Sequence, residues 1–186
     1  WGLGDIFLQD FSFAYLVDHV REFLDVMGIE KANFIGHSMG GWIVTLLSYE
    51  SPERVNKVIN VAGGGTSTRP LQSMVEFNVP TEVQIREQFI HRFPEGTVEI
   101  DELVATFVKK NSLPGHGEAF AGVMRHMTNP DTRLRYNTLR RMPLIKAPTL
   151  VCWGTDDQVN DYEMGKLTAS SIPGARLETF EGIGHM

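Results

Sequence analysis

The chain is expected to fold as an α/β protein: a mostly parallel sheet flanked by helices, with a helical insertion. Three observations lead there. Short, near-continuous apolar runs alternate with segments of helical periodicity, the pattern of a parallel sheet covered on both faces. Gly36-His37-Ser38-Met39-Gly40 stands between one such run and one such helix. From Thr66 to Met142 the rhythm stops, and helix-like pieces separated by Pro and Gly replace it.

The elements follow in order. Phe13 to Met27 places Leu16, Val20, Phe23, Leu24 and Met27 at helical spacing, with Ser12 as N-cap and Gly28 as the stop. Ala32 to Ile35 is a short strand, and Trp42 to Tyr49 a helix. Val58 to Val61 is a second strand, running into Gly63-Gly64-Gly65. Within the insertion, Thr81 to Phe93, Glu99 to Lys110 and Glu118 to His126 are helix-like. Thr149 to Trp153 is a third strand, Tyr162 to Ser170 a helix, and Leu177 to Phe180 a fourth strand. Three segments result: residues 1–65 and 143–186 form the core, and residues 66–142 form a helical lid. There is no internal repeat and no low-complexity tract.

Composition narrows the function. At 186 residues and 42% hydrophobic, the chain can bury one core. A net charge of -6 with scattered basic residues argues against a nucleic-acid surface. No apolar run reaches the ~18 residues of a membrane span. Cys152 is the single cysteine, which excludes an intrachain disulfide and a four-cysteine metal site. It stands in the apolar run Thr149-Leu150-Val151-Cys152-Trp153 and reads as a buried, inert thiol. The chain opens on Trp1 and stops at Met186, so it reads as a piece of a longer protein, with any targeting segment outside it. Cytoplasmic is the default location. The oligomeric state is not legible.

The chemistry centres on Ser38. A G-x-S-x-G run between strand and helix marks a nucleophile elbow, a sharp turn that exposes the serine hydroxyl. Glycines on either side, Gly36 and Gly40, are expected because a Cβ there would meet the neighbouring backbone. A serine hydroxyl is a weak nucleophile and needs a base, and the base needs an orienting carboxylate. Asp157 follows the third strand through Gly154-Thr155-Asp156, and His185 follows the fourth through Glu181-Gly182-Ile183-Gly184. Both stand just past strand ends, where open α/β sheets carry their sites. Asp156 competes with Asp157 for the acid role. His37 points away from Ser38 on a strand-like approach and is read as polar support. His19, His91, His116 and His126 have no metal-ligand spacing. No cofactor or metal is implied. Phe89, Phe93, Phe107, Phe120 and Met124 either pack the lid or line an acyl pocket.

Gly36-His37-Ser38-Met39-Gly40-Gly41, the stretch from Ile145 to Asp157, Gly182-Ile183-Gly184-His185 and the turn Gly2-Leu3-Gly4 together resemble the α/β-hydrolase superfamily. The likeness is to its branch of esterases, haloperoxidase-like enzymes and carbon–carbon bond hydrolases. It implies Ser38 as nucleophile, Asp157 as acid, His185 as base and the Met39 N–H as one oxyanion donor. The second donor is expected from a loop before Trp1, along with the first strands and first helix, and a final helix is expected after Met186. A small-molecule carbonyl substrate is the expected partner. Haloalkane dehalogenases and epoxide hydrolases of this fold carry aspartate at the elbow, where this chain has Ser38. The stretch from Asp101-Glu102-Leu103 resembles the lid of meta-cleavage-product hydrolases, which split carbon–carbon bonds in ring-fission dienones. That group carries an arginine on this helix where Phe107 stands, and a tryptophan after the base where Met186 stands. These two differences make a carboxylesterase on small or medium acyl esters the expected activity. Carbon–carbon hydrolysis is the alternative, and a hydrolase-fold binding protein with little turnover is a third reading.

Overall fold

The computed structural model describes residues 12–69, 78–93 and 99–186. Gly2-Leu3-Gly4 lies outside them. Among the described residues the element order is α1 (Phe13–Val26), β1 (Ala32–His37), α2 (Met39–Glu50), β2 (Val55–Val61), α3 (Glu82–Arg92), α4 (Ile100–Asn111), α5 (His116–Thr128), α6 (Pro130–Arg135), β3 (Thr149–Gly154), α7 (Tyr162–Ser171) and β4 (Arg176–Phe180). The four strands form one sheet in the order β1-β2-β3-β4, with every pair parallel. This is an α/β fold, a parallel sheet flanked by helices.

Local chemistry sets the helix ends. Ser12 caps α1 by accepting the Tyr15 N–H at 3.2 Å. Gly28 takes a left-handed φ of 65° just beyond the helix. The buried stripe of α1 is Phe13, Val17 and Leu24. Phe23 and Met27 are 54% and 59% exposed, because the face that meets α2 is set by the position of Trp42 and not by apolar count alone. Phe13 packs on Trp42 with ring centroids 4.1 Å apart. The Trp42 indole N–H donates to the Tyr136 carbonyl at 2.8 Å, which satisfies its one polar atom in the core.

Register places the faces. Asn60 pairs with Val151 across β2 and β3, so their side chains share a face. Asn60 Nδ2 donates to Thr45 Oγ1 of α2 at 3.0 Å. Trp153, on the same face as Val151, packs so closely on α7 that a Cβ at Gly165 would stand 2.7 Å from its ring. Helices α2 and α7 therefore lie on one face. On the other, Ile35 is 72% exposed, and Val61 and Cys152 are half-buried. Cys152 is thus not the buried thiol that its apolar surroundings in sequence suggest. Strand alternation puts it on the less covered side.

Helices α3 to α6 stand between β2 and β3. Their segment is tied at its base: the Thr138 N–H donates to the Gly65 carbonyl at 2.9 Å, and Asn137 Nδ2 to the Thr66 carbonyl at 3.0 Å. α3 begins at a capping box built from Thr81 and Gln84. Phe89, Phe107 and Phe120 stack edge to face from α3 through α4 to α5, at 5.9 and 6.0 Å. No helix among the described residues is long and apolar enough to cross a membrane.

Candidate active site

Three turns at the carboxyl ends of strands converge. Ser38 follows β1 and precedes α2. It is not a glycine, yet it holds φ 54° and ψ -115°, a conformation that costs roughly 1–3 kcal/mol and persists only where the surroundings enforce it. Here they do. The Ser38 N–H donates to the Val61 carbonyl at 2.9 Å, and the Ser38 carbonyl accepts from Gly64 N–H at 3.0 Å and Trp42 N–H at 3.2 Å.

The glycine expectations meet different fates. A Cβ at Gly36 would stand 2.4 Å from the Gly40 carbonyl oxygen, so no other residue fits. A Cβ at Gly40 meets nothing within 4 Å among the described residues. The second obligatory glycine is Gly41, whose Cβ would stand 2.6 Å from the Gly63 Cα. The close approach there is between the helix start and the turn after β2, a contact that sequence spacing does not show.

His185 and Asp157 reach Ser38 from two other turns. His185 Nε2 stands 2.9 Å from Ser38 Oγ, and His185 Nδ1 stands 2.8 Å from Asp157 Oδ2. A carboxylate only accepts, so Nδ1 carries the proton and Nε2 is left to accept the serine hydroxyl. The Asp157 side chain is fully buried and that of His185 is 7% exposed. Asp157 Oδ1 accepts the Val159 and Asn160 N–H groups at 2.8 and 2.9 Å, which fixes the carboxylate independently of the histidine. Asp156 is exposed and accepts from its neighbour Thr155 Oγ1 at 3.0 Å.

The two partner turns are laced together. The Asp156 N–H donates to the Ile183 carbonyl at 3.0 Å, and the Gly182 N–H to Thr155 Oγ1 at 2.9 Å. β3 ends at Gly154, where a Cβ would stand 2.0 Å from the Ile183 carbonyl oxygen. Only glycine lets the histidine turn lie this close. His37 Nε2–H donates to the His185 carbonyl at 2.7 Å, so His37 holds the histidine turn, and it also borders the cavity over Ser38.

A cavity of about 270 Å³ opens over Ser38. Trp42, Phe120, Met124 and Met127 supply apolar wall, and His185, Asn160 and Arg133 supply polar groups. The Met39 N–H belongs to the first residue of α2, one of the donors a helix leaves without an internal acceptor, and Met39 lines the same cavity. Phe120 and Met124 therefore line the space over the serine, whereas Phe89, Phe93 and Phe107 stack on one another. A wider groove of about 620 Å³ beside Gly28, Glu53 and Arg54 has no serine, cysteine or histidine in its lining. The smaller one is bordered by Ser38 and His185. No group of three or more His, Cys, Asp or Glu placed to hold a metal ion occurs among the described residues. His126 accepts the Phe13 N–H at 3.3 Å and is structural. Sequence reasoning missed Asn160 and Arg133. Asn160 Nδ2 donates to the Ala62 carbonyl at 2.7 Å, and only tertiary packing brings it to the site.

The family described as alpha/beta hydrolase fold matches residues 3–186. A 2-hydroxy-6-oxononadienedioate/2-hydroxy-6-oxononatrienedioate hydrolase of Comamonas testosteroni is 31% identical over 179 residues, covering 89% of this chain and 60% of that protein. A meta-cleavage product hydrolase from Pseudomonas fluorescens superposes with a TM-score of 0.84 at 21% identity, over 100% of this chain and 69% of that one. Est816, described as an N-acyl homoserine lactone degrading enzyme, superposes with a TM-score of 0.78 at 25% identity, over 99% and 72%. The chain spans about three fifths of the length of the curated relatives it matches.

Proposed function

The chain belongs to the α/β-hydrolase fold family, and on that premise we propose that Ser38 is its nucleophile, His185 its general base and Asp157 the carboxylate that orients the base. The observation that carries this reading is the unbroken pair of hydrogen bonds from Asp157 through the His185 ring to Ser38 Oγ. His185 Nε2 takes the hydroxyl proton as Oγ attacks a carbonyl carbon. The Met39 N–H donates to the oxyanion, a kind of contact worth ~10²–10³ in rate. The imidazolium protonates the leaving group as its bond to the carbonyl carbon breaks. A water then gives its proton to His185 and attacks the acyl-enzyme, which releases the acid and restores Ser38. Residues 66–142 act as the lid: Phe120, Met124 and Met127 on α5 and Arg133 on α6 close the cavity over the serine.

The substrate proposed is a ring-fission dienone cleaved at the carbon–carbon bond beside its ketone. Support comes from the 31% identical relative, a dienedioate hydrolase by name. This reverses the preference drawn from Phe107 and Met186 alone. Phe107 stacks with Phe89 and Phe120, so its helix contributes packing where the family pattern has a cation. A simple ester or lactone is the second reading, favoured by the likeness to Est816 at 25% identity. The complete Ser-His-Asp arrangement favours turnover over a purely binding role.

Paired assays separate the readings. The dienone reading expects kcat/KM on a 2-hydroxy-6-oxo-dienoate, followed by loss of its absorbance, to exceed that on p-nitrophenyl butyrate by at least roughly 10-fold. The opposite ratio makes the protein an esterase. Activity on both that survives Ser38→Ala overturns the nucleophile assignment.

A further inference from the structure

We propose that Arg133 is an anion-binding residue of the Ser38 cavity and holds a carboxylate carried by the substrate. The proposal rests on the serine-hydrolase reading above and adds a substrate class to it.

Arg133 lies on α6, is 5% exposed and lines the cavity shared by Ser38 and His185. Its guanidinium carbon stands 5.4 Å from the centre of the Trp42 ring. One terminal nitrogen donates to the Met127 carbonyl at 3.3 Å, and Nε has no hydrogen-bond partner. No carboxylate pairs with it among the described residues. The contrast within the chain is direct: Arg21, Arg54, Arg86 and Arg125 all have carboxylate partners, and all are more exposed. Other arginines without a carboxylate partner, such as Arg135 and Arg140, are exposed to water. Arg133 is the one buried arginine among the described residues, and it has no counter-ion there.

A buried cation of this kind is costly unless something pairs with it. Burial pulls the guanidinium below its ordinary pKa, and no acid opposes that pull. The cavity cannot supply the missing charge itself. No acid among the described residues lines it, and Asp157 behind His185 has Oδ2 on that histidine and Oδ1 on two backbone N–H groups. The rest of the wall is mainly apolar, with Trp42, Phe120, Met124 and Met127. Stacking on Trp42 favours the charge but satisfies none of its N–H groups. A guanidinium presents five N–H donors in a planar fork that fits two carboxylate oxygens. A carboxylate entering with the substrate would pair with the edge of the guanidinium that borders the cavity and neutralise the site, with the scissile carbonyl toward Ser38.

The test compares two esters of matched length, p-nitrophenyl butyrate and the mono-p-nitrophenyl ester of glutarate, which adds a terminal carboxylate. The native protein should favour the glutarate ester in kcat/KM by roughly 10-fold or more. In Arg133→Met that preference should collapse, mainly through KM, and Arg133→Lys should restore part of it. A structural role alone would lower both esters together and leave their ratio unchanged, which overturns the proposal. Benzoate binding by calorimetry decides the point without turnover. Benzoate should bind the native protein at least roughly 10-fold more tightly than Arg133→Met, and benzamide should not discriminate them. Equal benzoate affinity overturns the proposal. For a variant that misfolds by circular dichroism, slowing of fluorophosphonate labelling of the native protein by benzoate but not benzamide supports it, and equal labelling rates overturn it. A folded protein that binds benzoate through Arg133 but leaves Ser38 unlabelled and both esters intact sinks the serine reading while keeping the anion site.

Discussion

Gly154→Ala tests how the base is placed. The added Cβ would stand 2.0 Å from the Ile183 carbonyl oxygen, and real Cβ contacts essentially never fall under 3.0 Å. The turn that carries His185 must therefore move by about 1 Å, and a misplacement of that size can cost ~10²-fold in rate, or about 2.7 kcal/mol of barrier. The obstacle is backbone, so no rotamer change relieves it. The same shift stretches the 3.0 Å bond from Asp156 N–H to the Ile183 carbonyl, which loosens the link between the acid and base turns. The assay is kcat on whichever substrate the native protein turns over, with circular dichroism to show that the variant folds. Gly122→Ala is the control, because a Cβ at that α5 position meets nothing within 4 Å. A drop of roughly 10²-fold in the first variant and none in the second is expected. A folded Gly154→Ala protein within about 3-fold of native activity would refute the claim that this contact positions His185.

Three further outcomes follow from the same geometry. Asp157→Asn should lower kcat by ~10³–10⁴, because an amide cannot hold the Nδ1–H tautomer as the carboxylate does; a loss under 10-fold in steady-state kinetics contradicts the orienting role. Leu46→Ala removes a fully buried side chain from the core beside Trp42 and Leu47 and should cost ~2–5 kcal/mol in urea unfolding, whereas an unchanged midpoint would show that the cavity collapses without penalty. Burial, and secondarily Glu178, push the Cys152 thiol above its ordinary pKa; the thiolate is the reactive form, so at pH 8 a disulfide reagent should titrate the native protein more slowly than the urea-unfolded chain, and equal rates would show an ordinary thiol.

Much of this arrangement is legible in the sequence because its determinants are local. Ser12 and Gly28 mark the ends of α1, and the strand–turn–helix around Ser38 announces the elbow. The order Ser38, Asp157, His185, each just past an apolar run, places all three at one sheet edge. What stays hidden depends on contacts across the chain. Gly41 is required by Gly63, 22 positions away in sequence. α6 is six residues long, too short for periodicity to speak, although Asn129 before Pro130 is the cap-and-proline signature of a helix start. Nothing in the sequence singles out Arg133, which the fold buries beside Trp42. Phe107 and Met186 point toward esters because the group's pattern has an arginine at the first position and a tryptophan at the second. In the fold, Arg133 supplies the cation at the cavity.

The central claim is that Ser38 is an activated nucleophile. The most direct measurement is treatment of the protein with a fluorophosphonate probe, followed by peptide mapping, with Ser38→Ala alongside. The account predicts one adduct, on the peptide containing Ser38, absent from the variant. A folded protein that stays unlabelled, or an adduct on another residue, would contradict it.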